Sequence, residues 1–342
     1  MRLLRINKSL FILSIFFITN QCFSKENVVN VYTSRHYEID KTIYKKFTEK
    51  TGIKVREIAA KDQALLERLK SESNRSPADV LILADASRLW RAQENGYFKK
   101  HNSEVLKNTI PTRFRSDGLW VGLTIRARII VYNKNRFSTN DVLNYQDLAK
   151  KKFKGQFCSR TSSHPYMLSL ISSLISNLGE KETLSWARNL VLNQAREPKG
   201  GDTDQMRAIA SGECGVALTN SYYMIRLMRS NNPKDKKVIK NLGYVMPNQD
   251  SFGTHINVTG AGIVKTSPNP KNAKKFIEFL VSPSIQQIFA NGNNEWPILD
   301  NIKIKNNELS SIGTFKRDKL SINSIGKKQF IAQKLADQAG WK

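Results

Sequence analysis

The sequence predicts an α/β protein made of two lobes, and three observations support this prediction. The chain has 342 residues, which is too long for one ordinary hydrophobic core and suits two. Hydrophobic residues make up 40% and charged residues 25%, a composition that excludes a disordered chain and a polytopic membrane protein. Short apolar segments alternate with segments of helical periodicity, as they do in α/β proteins.

Residues 1–24 predict a signal peptide for export. Three basic residues precede an apolar stretch at 10–18, which is too short to span a bilayer but has the length of a signal-peptide core. Cys22 and Ser24 provide small residues for cleavage before Lys25. A lipoprotein acylated at Cys22 is the alternative, which the bulky Gln21 before it disfavours.

A first series of elements is predicted between residues 28 and 96. Its members alternate along the chain: strands at 28–33, 53–58 and 79–83, and helices at 39–51, 63–71 and 86–94. Ile43 and Phe47 show the helical spacing, and Gly52 ends that helix. Strands separated by single helices imply a mainly parallel sheet with helices on both faces.

A second series begins near Trp120. Its predicted members are strands at 119–125, 128–132, 156–159, 215–218 and 256–264, and helices beginning at Pro165, Lys181, Asp204 and Pro270. The helix after Pro270 is amphipathic and ends before Pro283. Since no internal repeat is visible, the two series indicate two α/β lobes.

Three loops are predicted at the carboxyl ends of strands, where open α/β sheets bind their ligands. They lie at 33–37, 160–166 and 219–223, and each leads into a predicted helix. Together they contain four of the ten tyrosines of the chain: Tyr37, Tyr166, Tyr222 and Tyr223.

Clustered tyrosines point to a hard, highly charged cation such as ferric iron, because phenolate oxygen is a hard anionic ligand. Ionising one tyrosine at pH 7 costs about 4 kcal/mol, so several stay ionised only beside a strongly charged metal in positive surroundings. Helix N-termini and nearby arginines, such as Arg35 and Arg160 within two of the loops, provide such surroundings. Tyrosines at strand ends also cap cores, so spacing leaves open whether the loops meet.

The chain is strongly basic, with 55 Lys and Arg against 29 Asp and Glu and a net charge of +26. Since the predicted signal peptide holds three positive and no negative charges, +23 remains in the folded part. Such an excess suits nucleic acid, an anion or an acidic surface. The longest basic cluster, at 150–154, is short, and export separates the protein from regulated nucleic acid, so we expect no such partner.

Cys158 and Cys214 remain after removal of the signal peptide. An even pair in an oxidising compartment predicts a disulfide, and two buried thiols are the alternative. Further thiols that a metal site would need are missing from the sequence.

Five segments closely resemble the ferric-iron-binding proteins, the periplasmic substrate-binding components of iron ABC transporters. They lie at 31–37, 78–98 (ADVLILADASRLWRAQENGYF), 120–133 (WVGLTIRARIIVYN), 200–227 (GGDTDQMRAIASGECGVALTNSYYMIRL) and 253–298 (including GTHINVTGAGIV and FANGNNEWPI). The resemblance extends in order over nearly the whole mature chain and is greatest for the cyanobacterial branch known as FutA or IdiA.

The resemblance implies a two-lobed periplasmic substrate-binding protein (type II) with a hinge and an interlobe ligand cleft that closes on binding. The implied divisions are a signal peptide at 1–24, a discontinuous N-terminal lobe at 25–122 and 253–300, a C-terminal lobe at 123–252, and a C-terminal helical segment at 301–342 that packs on the lobes. The chain would cross between the lobes near 120–126 and 246–254.

The resemblance also implies a set of metal ligands. The paired tyrosines of the family match Tyr222 and Tyr223, and the tyrosine after its first strand matches Tyr37. The cyanobacterial branch adds the tyrosine that matches Tyr166. His36 stands where several members place a metal-binding histidine.

Two arginines are expected to set the charge of the site. Arg126 matches the first arginine of the family's RxR strand, which in some members holds a synergistic anion such as carbonate. Arg226 follows Tyr222 by one helical turn and can project toward the site. Four phenolates around Fe³⁺ leave a charge of −1 that one arginine neutralises, and a neutral group in place of one phenolate suits Fe²⁺. An ordinary interlobe salt bridge is the alternative for both arginines.

The implied function is high-affinity binding of ferric, and also ferrous, iron in the periplasm and delivery to the permease of an ABC transporter by a monomer that is not an enzyme. One alternative is a protein of the same fold that binds another solute, such as a phosphate ester, a polyamine or thiamine. The other is an iron-sequestering protective protein at photosynthetic membranes. A Gly-x-Ser-x-Gly elbow, a His-Glu-x-x-His motif and a P-loop are missing from the sequence, which disfavours an enzyme.

Overall fold

A computed structural model describes residues 27–35 and 37–342 as an α/β fold, in agreement with the predicted class. The predicted signal peptide and His36 lie outside the described residues. In this part of the chain, none of the helices combines the length and the apolar character that crossing a membrane requires.

Ten strands are numbered in chain order: β1 (Val28–Thr33), β2 (Lys54–Ala59), β3 (Val80–Leu83), β4 (Arg115–Ser116), β5 (Trp120–Asn133), β6 (Phe157–Cys158), β7 (Val216–Asn220), β8 (Leu242–Val245), β9 (Ile256–Ile263) and β10 (Trp296–Pro297). The helices of the first half are α1 (Glu38–Thr51), α2 (Asp62–Glu72), α3 (Ala86–Glu94), α4 (Glu104–Thr109), α5 (Pro165–Leu178) and α6 (Glu180–Leu192). Those of the second half are α7 (Asp202–Ser211), α8 (Ser221–Arg229), α9 (Pro233–Lys240), α10 (Pro270–Leu280), α11 (Pro283–Asn293), α12 (Asn307–Ser310), α13 (Ile322–Lys327) and α14 (Gln329–Gln338).

The described strands form one sheet in the order β2-β1-β3-β9-β5-β7-β6, and β4, β8 and β10 also pair with β5. The prediction of a mainly parallel sheet was wrong. Only β1 with β2, β1 with β3, and β6 with β7 are parallel, whereas β9 and β5 run antiparallel to the strands beside them. A helical crossover makes strands parallel only within its own βαβ unit, and β5 and β9 enter the sheet from the opposite direction.

Strand β5 corrects a second prediction, because the two strands expected at 119–125 and 128–132 are one continuous, fully buried strand. Arg126 and Arg128 interrupt the apolar sequence, but both are buried and hydrogen-bonded within the fold. The first part of β5 pairs with β9 and its second part with β7 and β8. This one strand therefore joins the two halves of the sheet.

The buried hydrophobic residues form two clusters, one around β1, β3 and β9 and one around β6, α5 and α6. The segment after residue 300 packs against both: α13 contacts α3 and α5, and α14 contacts α5 and α6. Trp341 packs edge-on against Phe157. A disulfide joins Cys158 to Cys214, whose Cα atoms are 5.9 Å apart. The lobe boundaries at 122, 252 and 300 stay a prediction.

Candidate metal centre

Each of the four tyrosines lies at the start of a helix. Tyr37 immediately precedes α1, and Tyr166 is the second residue of α5. Tyr222 and Tyr223 are the second and third residues of α8, directly after β7. Helix N-termini carry a partial positive charge, which favours anionic groups at these positions.

A cavity of about 90 Å³ lies where these helix starts meet. Its lining includes all four tyrosines and both arginines that the sequence analysis selected: Ser34, Arg35, Tyr37, Ala84, Arg126, Tyr166, Tyr222, Tyr223, Arg226, Thr259 and Glu295. The structure thus brings together three loops that are separated from one another by more than fifty residues in the chain.

Three of the four phenol groups, those of Tyr166, Tyr222 and Tyr223, contact one another. The hydroxyl oxygens of Tyr166 and Tyr222 are 3.4 Å apart, and the rings of Tyr222 and Tyr223 lie 4.1 Å apart at an interplanar angle of 31°. Tyr222 is buried, whereas Tyr37, Tyr166 and Tyr223 are partly exposed.

Burial keeps three of the phenols protonated, those of Tyr37, Tyr166 and Tyr222. Burial raises the pKa of Tyr166 to about 12, although Arg126 opposes the shift. Burial also raises the pKa of Tyr222, and the neighbouring phenols add to the effect. The pKa of Tyr37 is raised by burial and next by the Glu295 carboxylate. A cation in the cavity would have to displace these protons.

Arg126 is fully buried beneath Tyr166, with its guanidinium carbon 5.1 Å from the ring centre. It donates hydrogen bonds to the Ala84 carbonyl and to Thr259 Oγ1, and it lies 3.9 Å from Asp85. Arg126 therefore both forms an ion pair and faces the tyrosine cluster, so the two expectations for this residue are compatible.

Two further arginines stack on the phenol rings. Arg226 is exposed and lies 4.9 Å from the ring centre of Tyr223, while it donates to Thr203 Oγ1. Arg160 lies 5.3 Å from the ring centre of Tyr166 and pairs with Asp202. Both place positive charge beside phenol groups.

His164 lies beside Tyr166 but does not line the cavity. His164 caps α5 by accepting a hydrogen bond from the Tyr166 amide, and burial, followed by the charge of Arg160, lowers its pKa to about 3. His36 lies outside the described residues.

Sequence reasoning missed Glu295, which lines the cavity and is 3% exposed. It forms an ion pair with Arg35 at 3.3 Å, and Arg35 pairs with Asp40 at 3.0 Å. The available signal was a single acidic residue within the FANGNNEWPI segment. Its distance along the chain from the tyrosine loops hid its role.

The donor chemistry of the cavity is that of a hard-metal site. Within residues 27–35 and 37–342, no three His, Cys, Asp or Glu side chains are grouped so that they could hold a metal ion. The tyrosine cluster instead offers several oxygen atoms, which become anionic ligands once their protons leave. Such oxygens suit a small trivalent cation better than a soft one.

A model of the family described as bacterial extracellular solute-binding protein matches residues 42–310. Iron uptake protein A1 of Synechocystis sp. is 46% identical over 93% of this chain and 88% of its own length. The major ferric iron-binding protein of Neisseria meningitidis is 27% identical over 92% of this chain and 93% of its own length.

A solved structure of a Trichodesmium protein described as IdiA and FutA, in complex with iron and citrate ligands, superposes with a TM-score of 0.89. It is 46% identical and is matched over 92% of this chain and 100% of its own. The names of these relatives are those of binding and uptake proteins.

Proposed function

The chain belongs to the bacterial extracellular solute-binding protein family, and we propose that it binds ferric iron in the periplasm and delivers it to the permease of an ABC transporter. One observation carries this proposal: Tyr37, Tyr166, Tyr222 and Tyr223 converge on a single cavity. The ferric-iron-binding and iron uptake proteins to which it is similar over nearly all their length support the same cargo.

Four phenolates would hold the ion. Each phenol gives up a proton when Fe³⁺ enters, because attraction to a trivalent cation outweighs the cost of ionising the buried hydroxyl. Fe³⁺ with four phenolates has a charge of −1, and Arg126, buried beside Tyr166, offsets it.

In this proposal, Arg226 allows the site to bind Fe²⁺ as well as Fe³⁺. It is exposed and reaches the cavity edge over Tyr223, so its charge can approach or leave the site. When one phenolate is replaced by a neutral group, the site suits Fe²⁺. A carbonate beside Arg126 and a bond from His36 to the metal stay predictions from the resemblance.

The division into lobes gives the site its closing motion. With the proposed boundaries, Tyr37 belongs to the N-terminal lobe and Tyr166, Tyr222 and Tyr223 belong to the C-terminal lobe. Capture of the ion by both sets would pull the lobes together by a hinge motion. The closed surface of a monomer would then be what the permease recognises, without any enzymatic step.

The visible spectrum of the purified protein with ferric iron, and again after reduction, tests the proposal. We expect a tyrosinate-to-iron charge-transfer band that loses intensity in Tyr→Phe variants. Unchanged iron affinity and an unchanged band in all four variants would refute the ligand set. Metal analysis of protein purified from iron-containing medium separates an iron carrier from a carrier of another solute.

A further inference from the structure

Glu295 occupies a defined position at the edge of the cavity. It follows Asn294, which ends α11 in the left-handed conformation at φ 61°, and it precedes β10. In the antiparallel pairing of β10 with β5, Trp296 lies opposite Ile125. Glu295 is therefore held next to Arg126 by backbone pairing and does not depend on a mobile loop for its position.

One oxygen of the Glu295 carboxylate is fixed by two donors. Thr124 Oγ1 donates to Glu295 Oε2 at 2.9 Å, and Arg35 Nη1 donates to the same oxygen at 3.3 Å. Arg35 is itself held by Asp40 and lies 4.9 Å from the ring centre of Phe289. The carboxylate plane thus has one orientation.

The other oxygen has no such partner. Glu295 Oε1 receives no hydrogen bond from any side chain or amide in the two described ranges. The protein does not enclose this atom completely. A carboxylate oxygen sealed away from donors would be costly. Glu295 lines the cavity that the four tyrosines share, and Oε2 is already engaged, so Oε1 is the carboxylate atom left to interact with a ligand there.

We propose that Glu295 is a further residue of the iron site, whose Oε1 accepts a hydrogen bond from a water molecule bound to the captured ion. The inference rests on the proposed function and deepens it. Iron with four phenolates is already negative, and Arg35 is shared by two carboxylates. An anion at the position facing Glu295 is repelled, whereas a water ligand donates to it. In this proposal a water molecule takes the place of the carbonate that the resemblance implies beside Arg126.

The substitution Glu295→Gln replaces the hydrogen-bond acceptor that the cavity is offered with a hydrogen-bond donor. Thr124 and Arg35 both donate to the Oε2 side, so the amide oxygen takes that place and the amide NH₂ group faces the cavity. We expect wild-type iron affinity to be the same with and without bicarbonate. In E295Q, affinity without bicarbonate falls roughly tenfold to hundredfold, the range for one hydrogen bond to a charged group. Bicarbonate restores it and shifts the visible band.

Two controls separate this effect from a structural one. Glu278→Gln makes the same chemical change at a carboxylate of α10, which accepts a hydrogen bond from Ser103, and it should leave iron binding unchanged. Thr124→Val removes one donor to Oε2 but keeps Oε1 as an acceptor, so binding stays independent of bicarbonate.

The wild-type protein gives a test that needs no variant. Its ferric complex in ¹⁷O-enriched water should show an oxygen-broadened electron paramagnetic resonance signal from bound water. A bicarbonate requirement in wild type, the absence of bound water, or an E295Q protein identical to wild type in both media would overturn the role of Glu295. Failure of the proposed function would appear differently, as wild-type protein that binds no ferric iron and has no band.

Discussion

The hydroxyl oxygens of Tyr166 and Tyr222 lie 3.4 Å apart, although the two residues are 56 positions apart in the chain. At this distance the two phenols can share a hydrogen bond while protonated. Two phenolates so close would repel each other strongly unless a cation lay beside both. The pair is therefore stable with its protons or with a metal, and the two states exclude one another.

Replacement of a single ligand should weaken iron binding strongly. Tyr166→Phe or Tyr222→Phe removes one anionic oxygen while it keeps the ring and its packing. Loss of an outer partner of a metal ligand typically costs tenfold to hundredfold, so loss of a ligand should exceed about hundredfold in affinity. Competition with a chelator measures it. Tyr244→Phe, on β8, is the matched control and should bind iron as wild type does.

Iron uptake should release protons at pH 7. Free Tyr37, Tyr166 and Tyr222 hold their protons because burial raises their pKa values, that of Tyr166 to about 12. The bound state lacks these protons, so affinity rises with pH until the free phenols begin to ionise. An indicator dye in weak buffer should record the release, with one proton fewer in Tyr166→Phe. Uptake without any release would contradict ionised ligands.

Arg126 should have separable structural and functional roles. Its removal in Arg126→Met leaves the buried Asp85 carboxylate unpaired and should cost about 3 kcal/mol in the free energy of unfolding. Asp85→Asn in the same protein should recover part of this, with a coupling of about 1–3 kcal/mol in denaturant titrations. Iron affinity should stay low in the double variant, because the positive charge is still missing. If the effects of the two substitutions on the free energy of unfolding simply added in the double variant, Arg126 and Asp85 would not be coupled.

His255 should make the protein less stable in acid. Burial, then the charges of Arg128 and Arg126, lowers its pKa to about 3, and both ring nitrogens lack hydrogen-bond partners among the described residues. Below pH 6.5 the unfolded chain binds a proton that the folded protein does not accept. The free energy of unfolding therefore falls by about 1.4 kcal/mol per pH unit from this group as pH drops toward 3. His255→Gln should lose that slope in unfolding experiments between pH 4 and 7.

The disulfide should contribute substantially to stability. Cys158 and Cys214 are fully buried and 56 positions apart, so their bond restricts a long loop of the unfolded chain. The double substitution Cys158→Ala and Cys214→Ala should lower the free energy of unfolding by about 4 kcal/mol in urea titrations. A reductant should destabilise wild type and leave the double variant unaffected. Equal stability of the two proteins would show that the bond does not form in solution.

Much of the architecture follows from local sequence. The helical spacing of Ile43 and Phe47 and the terminating Gly52, at φ 69°, define α1 because both features act within a few residues. The same holds for the strand at 28–33 and the helix at 86–94, which have the predicted bounds. Strand direction does not follow in this way, since pairing partners such as β5 and β9 are distant in the chain.

The sequence by itself determined the α/β class and the placement of four tyrosines at helix starts, because each depends on short-range periodicity or residue type. The export signal rests on the same kind of local pattern and stays a prediction. Only the tertiary structure decided that the tyrosines share one cavity and that β5 is continuous. It also decided that Glu295 meets Arg35 across 260 positions of the chain. These contacts depend on how strands pair over long separations, and no local pattern records that pairing.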